Sequence, residues 1–258
     1  MMILLAVIGV AAFLLFSNKA SAPINSQVKT DDAKLVVTPV EHASFVLKWG
    51  DVTIFNDPVG KAEKYQSFGK PDIVLLSDIH EDHFNVAVLE NLVSTGTLLI
   101  VPNEVYKKLP KSLAERTTVM SNGDIHTIGD ITVTAMPMYN LPASSEAYHV
   151  KGRGNGYILE SGETKIYIAG DTADIPEMLA LTDVDMAFIP MNLPYTMDVP
   201  TAVKAVLAFA PKVVYPYHYR GTDGLSDVSE FARQVTNSNP AISVKLLDWY
   251  PEGAEIVE

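Results

Sequence analysis

The densest concentration of chemistry in this chain is the segment Ser77-Asp78-Ile79-His80-Glu81-Asp82-His83. Four side chains with metal-binding atoms, Asp78, His80, Asp82 and His83, fall within six consecutive positions. Imidazole nitrogen together with carboxylate oxygen suits zinc, manganese or iron. In an extended segment residues 78, 80 and 82 point to one side, and His83 is redirected where a helix begins. A polar turn with solvated carboxylates and a satisfied histidine would account for an isolated His, but it fits this cluster poorly.

The elements around the segment are built to hold it. The apolar run Ile73–Leu76 leads straight into it, and a loop at the end of a buried strand is a common place for a site. From Leu35 onward short β-rich runs alternate with helical ones. The predicted strands are Leu35–Thr38, Phe45–Trp49, Val52–Asn56, Ile73–Leu76, Leu98–Val101, Ile131–Met136, Tyr157–Glu160, Lys165–Ala169, Met186–Ile189, Val213–Tyr215 and Val244–Leu247, each bounded by Gly, Pro, Asp or Asn. Helices are predicted over Val86–Val93, Ile175–Leu181, Thr201–Phe209 and Val228–Thr236, the third punctuated by Pro200 and Pro211. The mixture implies an α/β or α+β layered fold. Phe45–Asp51 and Tyr157–Glu163 both read as strand, Gly-acid turn and strand, and each is followed by a similar strand at nearly the same offset. Two similar halves, packed sheet against sheet with helices outside, account for this repetition.

Composition bounds the function. The 258 residues include 19 basic and 31 acidic side chains, a formal charge of −12 that argues against general nucleic-acid binding. Nearly half the residues are hydrophobic, enough for a substantial core. The chain has no cysteine, which excludes disulfides and thiolate ligands. The apolar run Ile3–Phe16 followed by Ala20-Ser21-Ala22 reads as a secretory signal over residues 1–22, with an uncleaved N-terminal anchor as the alternative because Lys and Arg are absent before it. Residues 23–34 then form a tether and residues 35–258 the folded domain. The expected location is periplasmic or extracellular, with a membrane tether through residues 3–16 as an option.

Ser77–His83 resembles the loop of the metallo-β-lactamase superfamily, and further stations follow in order. Asp57 ends a strand where the family places an acidic residue behind the site. Gly170-Asp171-Thr172 resembles the family's G-D-T motif, and His218 in Tyr217-His218-Tyr219 its terminal histidine. Pro190-Met191-Asn192 and the run to Met197 are similar to the branch holding ascorbate-phosphate lactonase-like proteins and the phospholipase D acting on N-acylphosphatidylethanolamines. The resemblance implies a four-layer αββα sandwich with an internal pseudo-repeat. It also implies a metal-dependent hydrolase that uses a metal-bound hydroxide to cleave a phosphodiester, lactone or related ester of a small molecule or lipid. The metal would be one or two divalent transition ions, zinc foremost, with manganese or iron as alternatives. A non-catalytic metal- or ligand-binding relative is the competing class.

The implied ligands are Asp82, His83, Asp171 and His218 at one site, and Asp78, His80, Asn140 and the shared Asp171 at the other. Two positions depart from the family pattern, since Asp78 and Asn140 stand where histidines are usual. An oxygen-rich first site implies a weaker or non-zinc metal there, or a mononuclear enzyme. Asp171 would bridge, Asp82 would orient the nucleophile, and His149, Tyr195, Tyr217 or Arg220 would serve the leaving group. The glycine-rich segment Tyr148–Gly156 is the substrate-loop candidate, with Lys151 and Arg153 able to hold a phosphate or carboxylate. His42 and His126 read as ordinary surface or turn residues.

Overall fold

The computed structural model describes residues 34–251. The segments expected as a leader, residues 1–22, and as a tether, residues 23–34 apart from Lys34, lie outside them. Among the described residues no helix is long and apolar enough to cross a membrane.

One sheet contains β1 (Leu35–Glu41), β2 (Ser44–Trp49), β3 (Val52–Asn56), β4 (Ile73–Leu75), β5 (Leu98–Val101) and β6 (Thr117–Val119), in that order. The other contains β7 (Ile125–Ile128), β8 (Ile131–Met138), β9 (Gly154–Ser161), β10 (Thr164–Ile168), β11 (Met186–Pro190) and β12 (Val213–Tyr217). A ribbon of β13 (Arg220–Gly221) and β14 (Gly224–Leu225) follows, and β15 (Ser243–Val244) joins the second sheet beside β12. The helices are α1 (Val86–Leu92), α2 (Asn103–Tyr106), α3 (Lys111–Ala114), α4 (Pro176–Leu179), α5 (Val199–Phe209) and α6 (Val228–Ser238). Side-chain alternation along the strands separates two faces. Phe45, Leu47 and Trp49 of β2 enter the core between the sheets, where Phe45 stacks on Phe188 with ring centroids 4.2 Å apart. Val46 between them faces the other way, into a cluster with Val88, Leu89, Val105 and Leu113 of α1–α3. Helices α5 and α6 cover the second sheet through Val206, Phe209, Phe231 and Val235. The result is the αββα sandwich.

The internal repetition is a structural one. The β2–β3 and β9–β10 hairpins turn at Gly50 and Gly162, with φ of 62° and 58°, and β4 and β11 then add in parallel. Each half also pairs its preceding strand antiparallel, as β1 on β2 and β8 on β9. The C-terminal ends of β3, β4, β8, β10, β11 and β12 therefore share one edge of the sandwich.

The sequence reading missed β6, β7 and the ribbon, the one-turn helices α2 and α3, and a 3-10 helix at Ala62–Phe68. These are short and carry little apolar periodicity, so tertiary pairing rather than local pattern makes them. The strand expected at Val244–Leu247 shrinks to Ser243–Val244 at the sheet's edge.

Candidate metal centre

Each cluster residue reaches the shared edge on a segment with little freedom. Asp57 follows β3 in a left-handed conformation, φ 40°, which turns its carboxylate beneath the loop after β4. There its Oδ1 accepts from the Ser77 amide at 2.7 Å and its Oδ2 from the Ser77 hydroxyl at 2.6 Å. The same Oδ2 lies 3.0 Å from His83 Nδ1. That contact fixes the His83 ring with Nε2 facing the cleft, the carboxylate-histidine arrangement that supports metal ligands. His218 also sits at positive φ, 47°, and its amide donates to the His42 carbonyl. Asn192, just after β11, lies 3.3 Å from His218 Nδ1, so Nε2 again points inward.

The inward atoms form two clusters. Asp82, His83 and His218 converge in one, and Asp78, His80 and His149 in the other. Asp171 Oδ2 lies between them, 3.3 Å from His83 Nε2, 3.4 Å from His218 Nε2 and 3.2 Å from His149 Nε2. The two imidazole nitrogens His83 Nε2 and His218 Nε2 are 3.2 Å apart, and Asp82 reaches them at 3.7 and 3.3 Å. Donors about 2.1 Å from a tetrahedral ion stand about 3.4 Å from one another. The spacing of Asp82, His83, Asp171 and His218 fits that figure. One buried atom in the centre, Asp171 Oδ1, also has no hydrogen-bond partner. Buried polar atoms left so are rare and call for a ligand or an ion. The donor set therefore fits a divalent transition metal.

The electrostatics agree. Burial opposes charge on His83, yet the neighbouring Asp171 and Asp82 carboxylates raise its pKa well above the ordinary histidine value. His218 is raised to about 9 in the same way, Asp171 outweighing burial. Burial would raise Asp82, but His83 and His218 hold it below the usual carboxylate range. Without metal, protons on the histidines balance the carboxylates.

Several expected roles change. Asn140 is not placed as a donor to the first cluster: its Oδ1 accepts from the His149 amide at 2.8 Å and its Nδ2 donates to the Tyr195 carbonyl at 2.7 Å. His149 takes that place, on a loop the sequence read as substrate-binding. Its Nδ1 faces the Tyr195 carbonyl at 3.2 Å. A carbonyl only accepts, so Nδ1 carries a proton and Nε2 is the ring atom turned to the cleft. That atom lies with Asp78 and His80 in the first cluster, 3.2 Å from Asp171 Oδ2. Tyr217 is wholly buried, its hydroxyl accepting from the Gly170 amide at 3.0 Å, and it cannot meet substrate. Lys151 turns away to Glu177 at 2.7 Å, and Arg153 pairs with Asp78. Arg220 stacks on the Tyr250 ring at 4.3 Å. Tyr195 stays at the rim, its ring 5.0 Å from that of Tyr148. Gly154-Asn155-Gly156 is not loop at all but the start of β9.

His42 was underrated. It forms the tight β1–β2 turn at φ 48°, its ring 4.8 Å from that of His218 and its Nδ1 2.9 Å from the Tyr250 hydroxyl. Burial, then His218, lower its pKa to about 3, so it is neutral. The signal was the true end of β1 at Glu41, three residues past the predicted end, which leaves His42 in a two-residue turn. His126 lies in β7 and has no part in the clusters.

Residues 36–218 match the family described as the beta-lactamase superfamily domain. A UPF0173 metal-dependent hydrolase of Methanopyrus kandleri is 28% identical over 222 residues, a match spanning 82% of this chain and 96% of the relative. Among solved structures, one described as a metal-dependent hydrolase from Parabacteroides distasonis is 36% identical with a TM-score of 0.74, covering 84% of this chain and 94% of its own. Igni18, a metallo hydrolase from Ignicoccus hospitalis, is 25% identical with a TM-score of 0.69, covering 83% of this chain and 94% of its own. These similarities correct one expectation. The signal peptide, and the periplasmic or membrane-anchored reading built on it, has no counterpart in the Methanopyrus relative: a match over 96% of that protein leaves no room outside it for a leader of this size.

Proposed function

This chain belongs to the beta-lactamase superfamily domain family and has the donor set of a metal-dependent hydrolase; we propose that it hydrolyses a phosphodiester, lactone or related ester of a small molecule or lipid. The observation that carries this reading is the convergence of Asp82, His83, Asp171 and His218 at 3.2–3.7 Å, with Asp57 and Asn192 fixing the two rings from behind. Zinc is the metal this set suits best, with manganese or iron as alternatives. A bound divalent ion supplies Lewis acidity to the scissile group and lowers the pKa of water.

The protein residues do the rest. Of these four donors Asp82 is the most open, its side chain 34% exposed. Held ionised by His83 and His218, it orients an attacking water by accepting its hydrogen. Asp171 and His83 are buried and shield the reacting centre from bulk water. Asn140 keeps the His149 and Tyr195 loops in register at the cleft mouth. Tyr195 and Tyr148 line that mouth, where the organic part of a substrate would lie.

Purified protein assayed against a bis-aryl phosphate, a phosphocholine ester and an aromatic lactone tests the proposal. Hydrolysis of at least one, lost on chelation and restored by zinc or manganese, is the expected result. Metal-loaded, folded protein that turns over none of the three classes would count against it. So would turnover that survives chelation or the His218→Ala change.

A further inference from the structure

We propose that Arg153 is the resident cation of the Asp78–His80–His149 cluster, so that this chain takes a single divalent metal, at Asp82, His83, Asp171 and His218. The proposal rests on the metal-dependent reading above. Three donors of the right types meet in the Asp78 cluster, but Asp78, the one carboxylate it does not share with the other cluster, is already engaged. Arg153 grips Asp78 with both arms of its fork, Nε to Oδ1 at 3.1 Å and Nη2 to Oδ2 at 2.7 Å. Nη2 also lies 3.3 Å from His80 Nε2 and 2.6 Å from the Tyr148 carbonyl. Two of the three potential ligands therefore face a guanidinium. Asp78 is fully buried, and a buried carboxylate needs a permanent countercharge. Arginine supplies one at every working pH, in a planar geometry that matches both oxygens.

Arg153 cannot easily withdraw. The backbone just after it is clamped to the metal loop, with the Asn155 amide donating to the Ser77 carbonyl at 2.9 Å. At Gly154 even a Cβ would come within 2.6 Å of that same carbonyl. Asn122 holds this stretch from the other side, donating to the Gly154 carbonyl at 3.0 Å and to Asn155 Oδ1 at 2.8 Å. The guanidinium is thus delivered to Asp78 by a rigid strand start. A divalent ion entering the cluster would have to break both arms of the fork and sit beside the displaced charge.

The test is metal stoichiometry. Full-length protein, Arg153→Gln and Asp78→His are equilibrated with excess zinc, dialysed and measured by elemental analysis, with circular dichroism and a cooperative melt to verify folding. The expected counts are one zinc per chain for the parent and two for each variant. Arg153→Gln frees the carboxylate; Asp78→His removes the anchor of Arg153 and adds an imidazole donor. If one variant fails to fold, the other carries the comparison. Two zincs in the parent would overturn the inference while leaving the hydrolase reading intact. A folded variant that stays at one would likewise remove Arg153 from its role. No zinc in the parent would sink both.

Discussion

Asp57 never faces the cleft, yet it fixes which face of His83 does. Its carboxylate binds the Ser77 amide, the Ser77 hydroxyl and His83 Nδ1 at once. An Asp57→Asn variant keeps the shape but loses the charge that orients the ring. We expect metal affinity to fall about 10- to 100-fold, as for other residues that support a ligand from behind. Competition with a chromophoric chelator measures this; unchanged affinity would show that Ser77 alone suffices. The histidines also set a pH dependence. His218, raised to about 9, must shed its proton before it can donate a lone pair. Zinc affinity should therefore rise about tenfold per pH unit for each proton displaced, up to about pH 9, and then level off. In the metal-free protein the sign reverses: stability contributed by protonated His218 is fully present below the unfolded value near 6.5 and is lost as pH rises through about 9. Chelator titrations and thermal melts across pH 6–10 would register both trends.

At the level of elements, close approach of two chain segments builds the cleft floor. A Cβ on Gly156 would sit 2.6 Å from the Ala169 carbonyl, between β9 and the end of β10. Backbone on the neighbouring strand cannot step aside as a flexible side chain can. Gly156→Ala should destabilise the fold by about 1–3 kcal/mol, the usual range for overpacking. It should also displace Asp171, which lies two residues beyond Ala169. Urea unfolding gives the first effect and metal affinity the second. Intact stability would mean the β9–β10 pair has more slack than its geometry suggests.

For the whole molecule, the centre draws on both halves of the pseudo-repeat: Asp57 to His83 from the first sheet, Asp171 to His218 from the second. A metal that binds only this assembled state stabilises it by mass action, by about 2.7 kcal/mol at free metal 100-fold above the dissociation constant. At about 2–4 °C per kcal/mol for a domain of this size, chelation should lower the melting temperature by roughly 5–11 °C. Scanning calorimetry with and without chelator tests this. A melt indifferent to metal would place the binding residues outside the cooperative unit.

Much of this was legible in the chain. Short apolar runs bounded by Gly, Pro, Asp or Asn marked most strands because many are buried on both faces, and the Phe45–Asp51 and Tyr157–Glu163 likeness survives as two matching hairpins. The ligand types at 78–83 were visible because metal chemistry admits few residue types, while Asp171 and His218 were pointed to by their resemblance to the family's motifs. The sequence could not reveal direction. Asn140 and His149 both stand near the expected place, and only the hydrogen bonds to the Tyr195 carbonyl decide which one faces the cleft. Lys151 and Arg153 look alike as loop cations, two residues apart, yet one finds Glu177 and the other Asp78. Tyr217 beside His218 points into the core while His218 turns out of it at positive φ. Residue type limits what a side chain can do, but its partner lies across the fold, and only the packed sandwich brings the two within hydrogen-bonding distance.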